Sequence, residues 1–74
     1  MADTSELLNN VWKQWATNAG IKRIYNYQHE RRNQRFEDWL WDNGARVTQD
    51  NRKKYLRFNS EKQQMWFLLK YNGN

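Results

Sequence analysis

Cysteine is absent from these 74 residues, so neither a disulfide nor a thiolate metal site can hold the fold together. That absence fits a reducing compartment. Proline is absent too, and the only three glycines, at positions 20, 44 and 73, are too scattered to form a phosphate-cradling loop. The single histidine, His29, has no second His or Cys at ligand spacing, so no metal site is expected. Nucleophilic catalysis fares no better. Thr4, Ser5, Thr17, Thr48 and Ser60 are scattered hydroxyls without an elbow motif or a base placed beside them. No run is long and apolar enough for a transmembrane helix, and mean hydropathy is −1.31. The chain does not open with a basic stretch followed by an apolar one, so an unexported, cytoplasmic protein is expected, with no enzymatic activity and no cofactor.

Aromatic residues are what the chain has in abundance. Five Trp, four Tyr and three Phe can each bury about 150 to 250 Å². In a chain this short, one small domain (1–74) with a modest core is expected, and the aromatics must supply much of its stability. At least one is expected to remain outside. Charge is unevenly spread: residues 1–44 carry six Lys/Arg against six Asp/Glu, whereas 45–74 carry seven against two. The whole net charge of +5 therefore lies in the second half, and a positive field there favours association with polyanions.

The best-defined element lies at that boundary. Residues 45–49 and 53–58 are enriched in strand formers and flank Asp50-Asn51, a pair that tolerates the positive φ of tight turns, so a hairpin is expected. With a turn of two or four residues, alternation places Ala45, Val47, Lys54, Leu56 and Phe58 on one face. This face should meet the core, with Lys54 reaching water along its stem. The opposite face carries Arg46, Thr48, Lys53, Tyr55 and Arg57.

Upstream, Asp3 and Glu6 resemble a capping box, and Leu7, Leu8, Val11, Trp12, Trp15, Ala16 and Ala19 recur at helical spacing up to Gly20. Trp12 and Trp15 are therefore expected in the core. Residues 21–28 fit a helix or an extended segment, and helix is favoured. Residues 29–43 read as helix, with Phe36, Trp39 and Leu40 as the apolar stripe and Gly44 as the stop. The two segments form one helix or two with a bend near Tyr27. Arg31, Arg35, Asp38 and Asp42 share one stripe of this region, in an order that opposes the helix dipole. The arginines are expected to hold the two carboxylates ionised, with Arg46 available to Asp42. Trp41 points away from Phe36 and Leu40, either exposed or covered by another segment.

Downstream, Ser60 to Gln63 form a capping box. Met65, Phe67, Leu69 and Tyr71 then alternate with Trp66, Leu68 and Lys70, which suits a short helix over 60–66 and a closing strand over 67–71. A helix through Lys70 is the alternative. The expected fold class is α+β: two N-terminal helical segments, a β-hairpin, a short helix and a closing strand, in a three-stranded antiparallel sheet of order 2-1-3.

The block 36–73 resembles one found in short uncharacterised proteins of tailed bacteriophages: a Trp39-Leu40 helix ending in Asn43-Gly44, a hairpin, a polar helix, then Phe67-Leu68-Leu69-Lys70-Tyr71-Asn72-Gly73. About half the chain takes part, without a catalytic signature. The resemblance implies a small host-directed or regulatory protein that works by binding, and it assigns no functional residue.

Two binding modes follow from the residues. In the first, the partner is a host protein, met by Trp41 and the charged stripe of Arg31, Arg35, Asp38 and Asp42, with the edge of the second strand free to pair. In the second, the partner is nucleic acid. Arg46, Lys53 and Arg57, joined at the turn by Arg52 and Lys54, contact phosphates while Tyr55 stacks on a base, as a sheet face or a winged-helix-like hairpin.

Overall fold

A computed structural model describes residues 4–71. Its elements in chain order are α1 (Ser5–Asn18), a short 3₁₀ turn η1 (Tyr27–His29), α2 (Gln34–Asp42), β1 (Ala45–Asp50), β2 (Lys53–Phe58) and α3 (Glu61–Tyr71). The class is α+β, with three α-helices packed around a two-stranded antiparallel hairpin.

Helix α1 begins after Thr4, whose hydroxyl is used elsewhere, and ends in a Schellman motif at Gly20. Ile21 N–H donates to Ala16 O at 3.0 Å and Gly20 N–H to Thr17 O at 3.1 Å, which requires the φ of +80° that Gly20 supplies. Asp3, the expected start of a capping box, lies outside the described residues. Most of the apolar stripe of α1 behaves as its spacing dictates: Leu7, Leu8, Val11, Trp12 and Ala16 are buried and Trp15 is half-buried against them, whereas Ala19, expected in the same stripe, is exposed at the C-cap. Trp12 Nε1 donates to Tyr25 O at 2.9 Å, so its polar atom is satisfied inside the core.

The expected helix over 21–28 does not form, and α2 starts at Gln34 rather than near position 29. Two asparagines punctuate the segment. The Asn26 side chain accepts from Gln28 N–H at 2.9 Å, and Asn33 accepts from Phe36 N–H at 3.0 Å as the N-cap of α2. Between them Tyr27 turns into the core, 1% exposed, while Tyr25 stays outside. A single amphipathic helix cannot place Tyr27 and Phe36 in the same cluster while freeing Gln28 for the sheet. Tertiary burial overrides a weak helical preference here.

The hairpin pairs Ala45 with Phe58 through Asp50 with Lys53. Its turn is Asn51-Arg52, one residue later than expected, with φ of +50° and +64°. Two successive positive values mark the type I′ geometry that matches strand twist. Arg52 carries a side chain where glycine is preferred, so Arg52→Gly is expected to stabilise the fold by about 1 kcal/mol. In a domain of this size that raises the midpoint of thermal unfolding by about 4–8 °C. An unchanged or lowered midpoint in a melting curve counts against the turn geometry. Face assignment follows the alternation: Ala45 and Leu56 are buried, Val47 and Phe58 pack against the core, and Arg46, Lys53 and Arg57 are exposed.

No third strand is present among the described residues. Residues 61–71 form one helix, nucleated where Gln63 N–H meets Ser60 Oγ at 3.5 Å. An apolar run this dense satisfies both periodicities. As a helix it sets Phe67, Leu68 and Tyr71 against the core together, with the Phe67 ring 5.4 Å from Phe58 and 6.2 Å from Trp39. As a strand it would have set Leu69 beside Phe67, yet Leu69 is 76% exposed. Gly44 closes α2 at φ +79°, and a Cβ there would lie 2.6 Å from Gln63 Cγ, so glycine also lets α3 approach.

Candidate functional site

The free edge of β2 is the first place where sheet chemistry meets a partner, and it is closed. Lys54 and Leu56 turn their backbone groups away from β1. The Gln28 amide takes the first pair, Nε2 donating to Lys54 O and Oε1 accepting from Lys54 N–H, each at 2.8 Å. Thr4 Oγ1 takes the second, donating to Leu56 O at 2.8 Å and accepting from Leu56 N–H at 3.0 Å. Two side chains stand in for a neighbouring strand, so the expectation of a β2 edge open to strand addition is corrected at these residues.

Lys54 also leaves the basic surface. Its Nζ donates to Glu30 O at 2.7 Å and Tyr27 O at 3.2 Å and lies 5.1 Å from the Tyr27 ring centroid. Instead of reaching water at the turn, it ties the irregular segment to the sheet. Beside it, Tyr27 Oη lies 3.5 Å from Glu37 Oε2, and Arg32 Nε donates to Glu37 Oε1 at 3.1 Å. Burial, and then the negative charge of Glu37, push the Tyr27 phenol up to about 12. The raised value favours the protonated ring in the fold. Its stabilising contribution is complete below the ordinary tyrosine value near 10 and is lost as pH rises from about 10 through about 12. The expected loss is about 2–3 kcal/mol, from a shift of about two units. Urea midpoints at rising alkaline pH, compared with those of Tyr27→Phe, check it: the variant should show a shallower decline, and parallel curves would refute the assignment.

The charged stripe expected on one helix is divided. Arg31 sits in the irregular segment before α2, Arg35 lies 6.0 Å from the Trp15 ring, and Asp38 accepts from Gln34 Nε2 at 2.8 Å. Neither Asp38 nor Asp42 joins an ion pair among the described residues, so the expected duty toward the arginines and Arg46 is not seen. His29 is exposed on η1, and no group of potential metal ligands gathers among the described residues.

Two surfaces remain. One is apolar. Trp41 is 65% exposed, and it faces Trp66, 43% exposed, across a shallow groove of about 530 Å³. Asp42 and Lys62 flank the groove, and the Gly44–Asn59 rung, with Asn59 N–H donating to Gly44 O at 2.9 Å, lies at its base. Met65, 58% exposed, precedes Trp66, and Leu69 lies one turn beyond Met65. Of the five large hydrophobic side chains exposed among the described residues, three lie on α3, Trp41 shares the groove with Trp66, and Tyr25 belongs to the segment between α1 and η1. The position of Trp41 opposite the apolar stripe of α2 was legible, but its exposure was left open between solvent and cover by another segment. Met65, Trp66 and Leu69 were not singled out, although a run with more apolar positions than one helix face can bury carries that signal.

The second surface is the outer face of the hairpin. Arg46 stands opposite Arg57, Thr48 opposite Tyr55 and Asp50 opposite Lys53. Lys53 Nζ is 5.8 Å from the Tyr55 ring centroid, and Arg52 adds a cation at the tip. Comparison with known proteins finds no matching family model, no matching curated protein and no matching solved structure.

Proposed function

We propose that this chain is a small non-catalytic binding protein that docks onto another protein through the ridge of Trp41, Met65, Trp66 and Leu69. The bacteriophage resemblance makes that partner a host protein in the bacterial cytoplasm, with the chain acting as its regulator or inhibitor. One observation carries the reading: the exposed Trp41 and Trp66 line one groove, and Met65 and Leu69 are exposed on the same helix as Trp66. Exposed apolar surface bordered by charge, here Asp42 and Lys62 beside Trp41 and Trp66, is characteristic of protein docking sites, and tryptophan is enriched among their anchors. No helix among the described residues is long and apolar enough to cross a membrane.

The test is capture from nuclease-treated bacterial lysate on immobilised protein, using the wild type, Trp41→Ala, Leu69→Gln and the Arg46→Gln/Arg57→Gln double variant. A protein held by the wild type and the arginine variant but lost from both ridge variants supports the reading. Each anchor is expected to contribute at least about 30-fold in affinity, the effect of a hot-spot residue. Equal capture by all four, or recovery of nucleic acid alone, rejects it.

A further inference from the structure

We propose that the outer face of the hairpin is a second, separate binding site, and that its ligand is single-stranded nucleic acid. The register sets Arg46 directly opposite Arg57, and both are exposed. Like charges in facing positions of an antiparallel pair are destabilising. Among the described residues neither guanidinium has a carboxylate partner, so none of those residues accounts for the pairing. A polyanion does, because each phosphate neutralised by a cation releases a condensed counterion.

The remaining side chains of the face fit the same ligand. Along β2, Lys53, Tyr55 and Arg57 recur every second residue, about 6.8 Å apart, a repeat comparable to that of an extended nucleic-acid strand. Tyr55 is half-buried between the two cations, with its ring 5.8 Å from Lys53 Nζ, a stacking platform flanked by positive charge. The one carboxylate on the face, Asp50, is at the tip opposite Lys53. Stacking on a tyrosine requires an unpaired base, which a single strand presents and a duplex conceals. A face only two strands wide also accommodates one backbone better than two.

The experiment is fluorescence anisotropy of labelled oligothymidylate and oligouridylate of about twelve nucleotides, within the range of known single-strand sites, against a duplex of equal length. About three phosphate contacts, from Arg46, Arg57 and Lys53, give a slope of log K on log salt near −2. Affinity for the single strands should therefore fall about 20-fold between about 50 and 200 mM salt. Arg46→Gln/Arg57→Gln removes the internal repulsion and so keeps the fold, which circular dichroism confirms. It should bind more weakly and lose only about threefold over the same salt range. Tyr55→Leu should weaken binding about tenfold at all salt concentrations. Leu69→Gln, on the ridge, should leave oligonucleotide binding unchanged. The two single-strand arms show whether the sugar is discriminated, and binding of either supports the site. Absence of binding at the lower salt, an unchanged slope in the arginine variant, equal affinity for the duplex, or loss of binding in Leu69→Gln would overturn it.

Discussion

Phe36→Ala is expected to destroy cooperative folding. Phe36 is fully buried, and its ring centroid lies 5.1 Å from Trp12, 5.4 Å from Trp15, 5.1 Å from Tyr27 and 6.2 Å from Trp39. Like Trp12, it touches aromatic rings from α1, η1 and α2 at once. Truncation to alanine costs about 3–5 kcal/mol, the lost transfer energy plus a cavity that rigid ring neighbours cannot collapse to fill. At about 0.05–0.15 kcal/mol per residue, the whole domain is stable by about 4–11 kcal/mol. Without a disulfide to raise that figure, one substitution removes much or all of it. Urea unfolding followed by tryptophan fluorescence should show no pre-transition baseline for Phe36→Ala. Phe36→Leu, which keeps most of the volume, should retain a cooperative transition shifted by about 1–2 kcal/mol. If Phe36→Ala lies within about 1 kcal/mol of wild type, the aromatic cluster is not the centre of the core.

Opening the β2 edge is expected to have the second largest effect. Gln28→Leu keeps side-chain bulk but deprives Lys54 N–H and O of their partners, and Thr4→Val does the same to Leu56. Unsatisfied, partly buried peptide groups cost about 1–3 kcal/mol per site, so the double variant should lose about 2–6 kcal/mol. A second consequence separates this from ordinary destabilisation. An uncapped edge in a two-stranded sheet is a template for pairing, so the double variant should associate as concentration rises while wild type does not gain mass by this route. Sedimentation velocity and urea titration read the two effects. A double variant as stable as wild type, with unchanged sedimentation, would show that these bonds do not guard the edge.

Local rules account for the features legible in the chain. Gly20 and Gly44 ended helices because positive φ is cheap only for glycine, and Ser60 began one because its hydroxyl meets an otherwise unpaired amide. The two faces of the hairpin were readable even though the turn fell at Asn51-Arg52 rather than Asp50-Asn51, because alternation has a period of two whichever two-residue turn closes it. The α1 stripe was readable because five apolar positions share one side of the wheel. Candidate surface residues were legible in part: Arg46, Lys53, Tyr55 and Arg57 share the outer face, whereas the exposure of Trp41 was left open and Lys54 is engaged with backbone carbonyls.

Where two local readings were equally satisfied, or where a polar side chain had a distant use, long-range packing settled the outcome. Residues 67–71 alternate and also recur at helical spacing, and the choice of helix came from the aromatic surface that Phe58 and Trp39 offer to Phe67. Residues 21–33 lost their helix because Tyr27 had to enter the core while Gln28 reached Lys54, 26 positions away. Thr4 capped a strand 52 positions away instead of its own helix. The helix stops, the alternation of the hairpin and the basic balance of the second half were set locally along the chain, because each depends on residue types and neighbours a few positions apart. Which segments closed the sheet edge, and which aromatics were left on the surface, depended on contacts between distant segments, whose energies no local window contains.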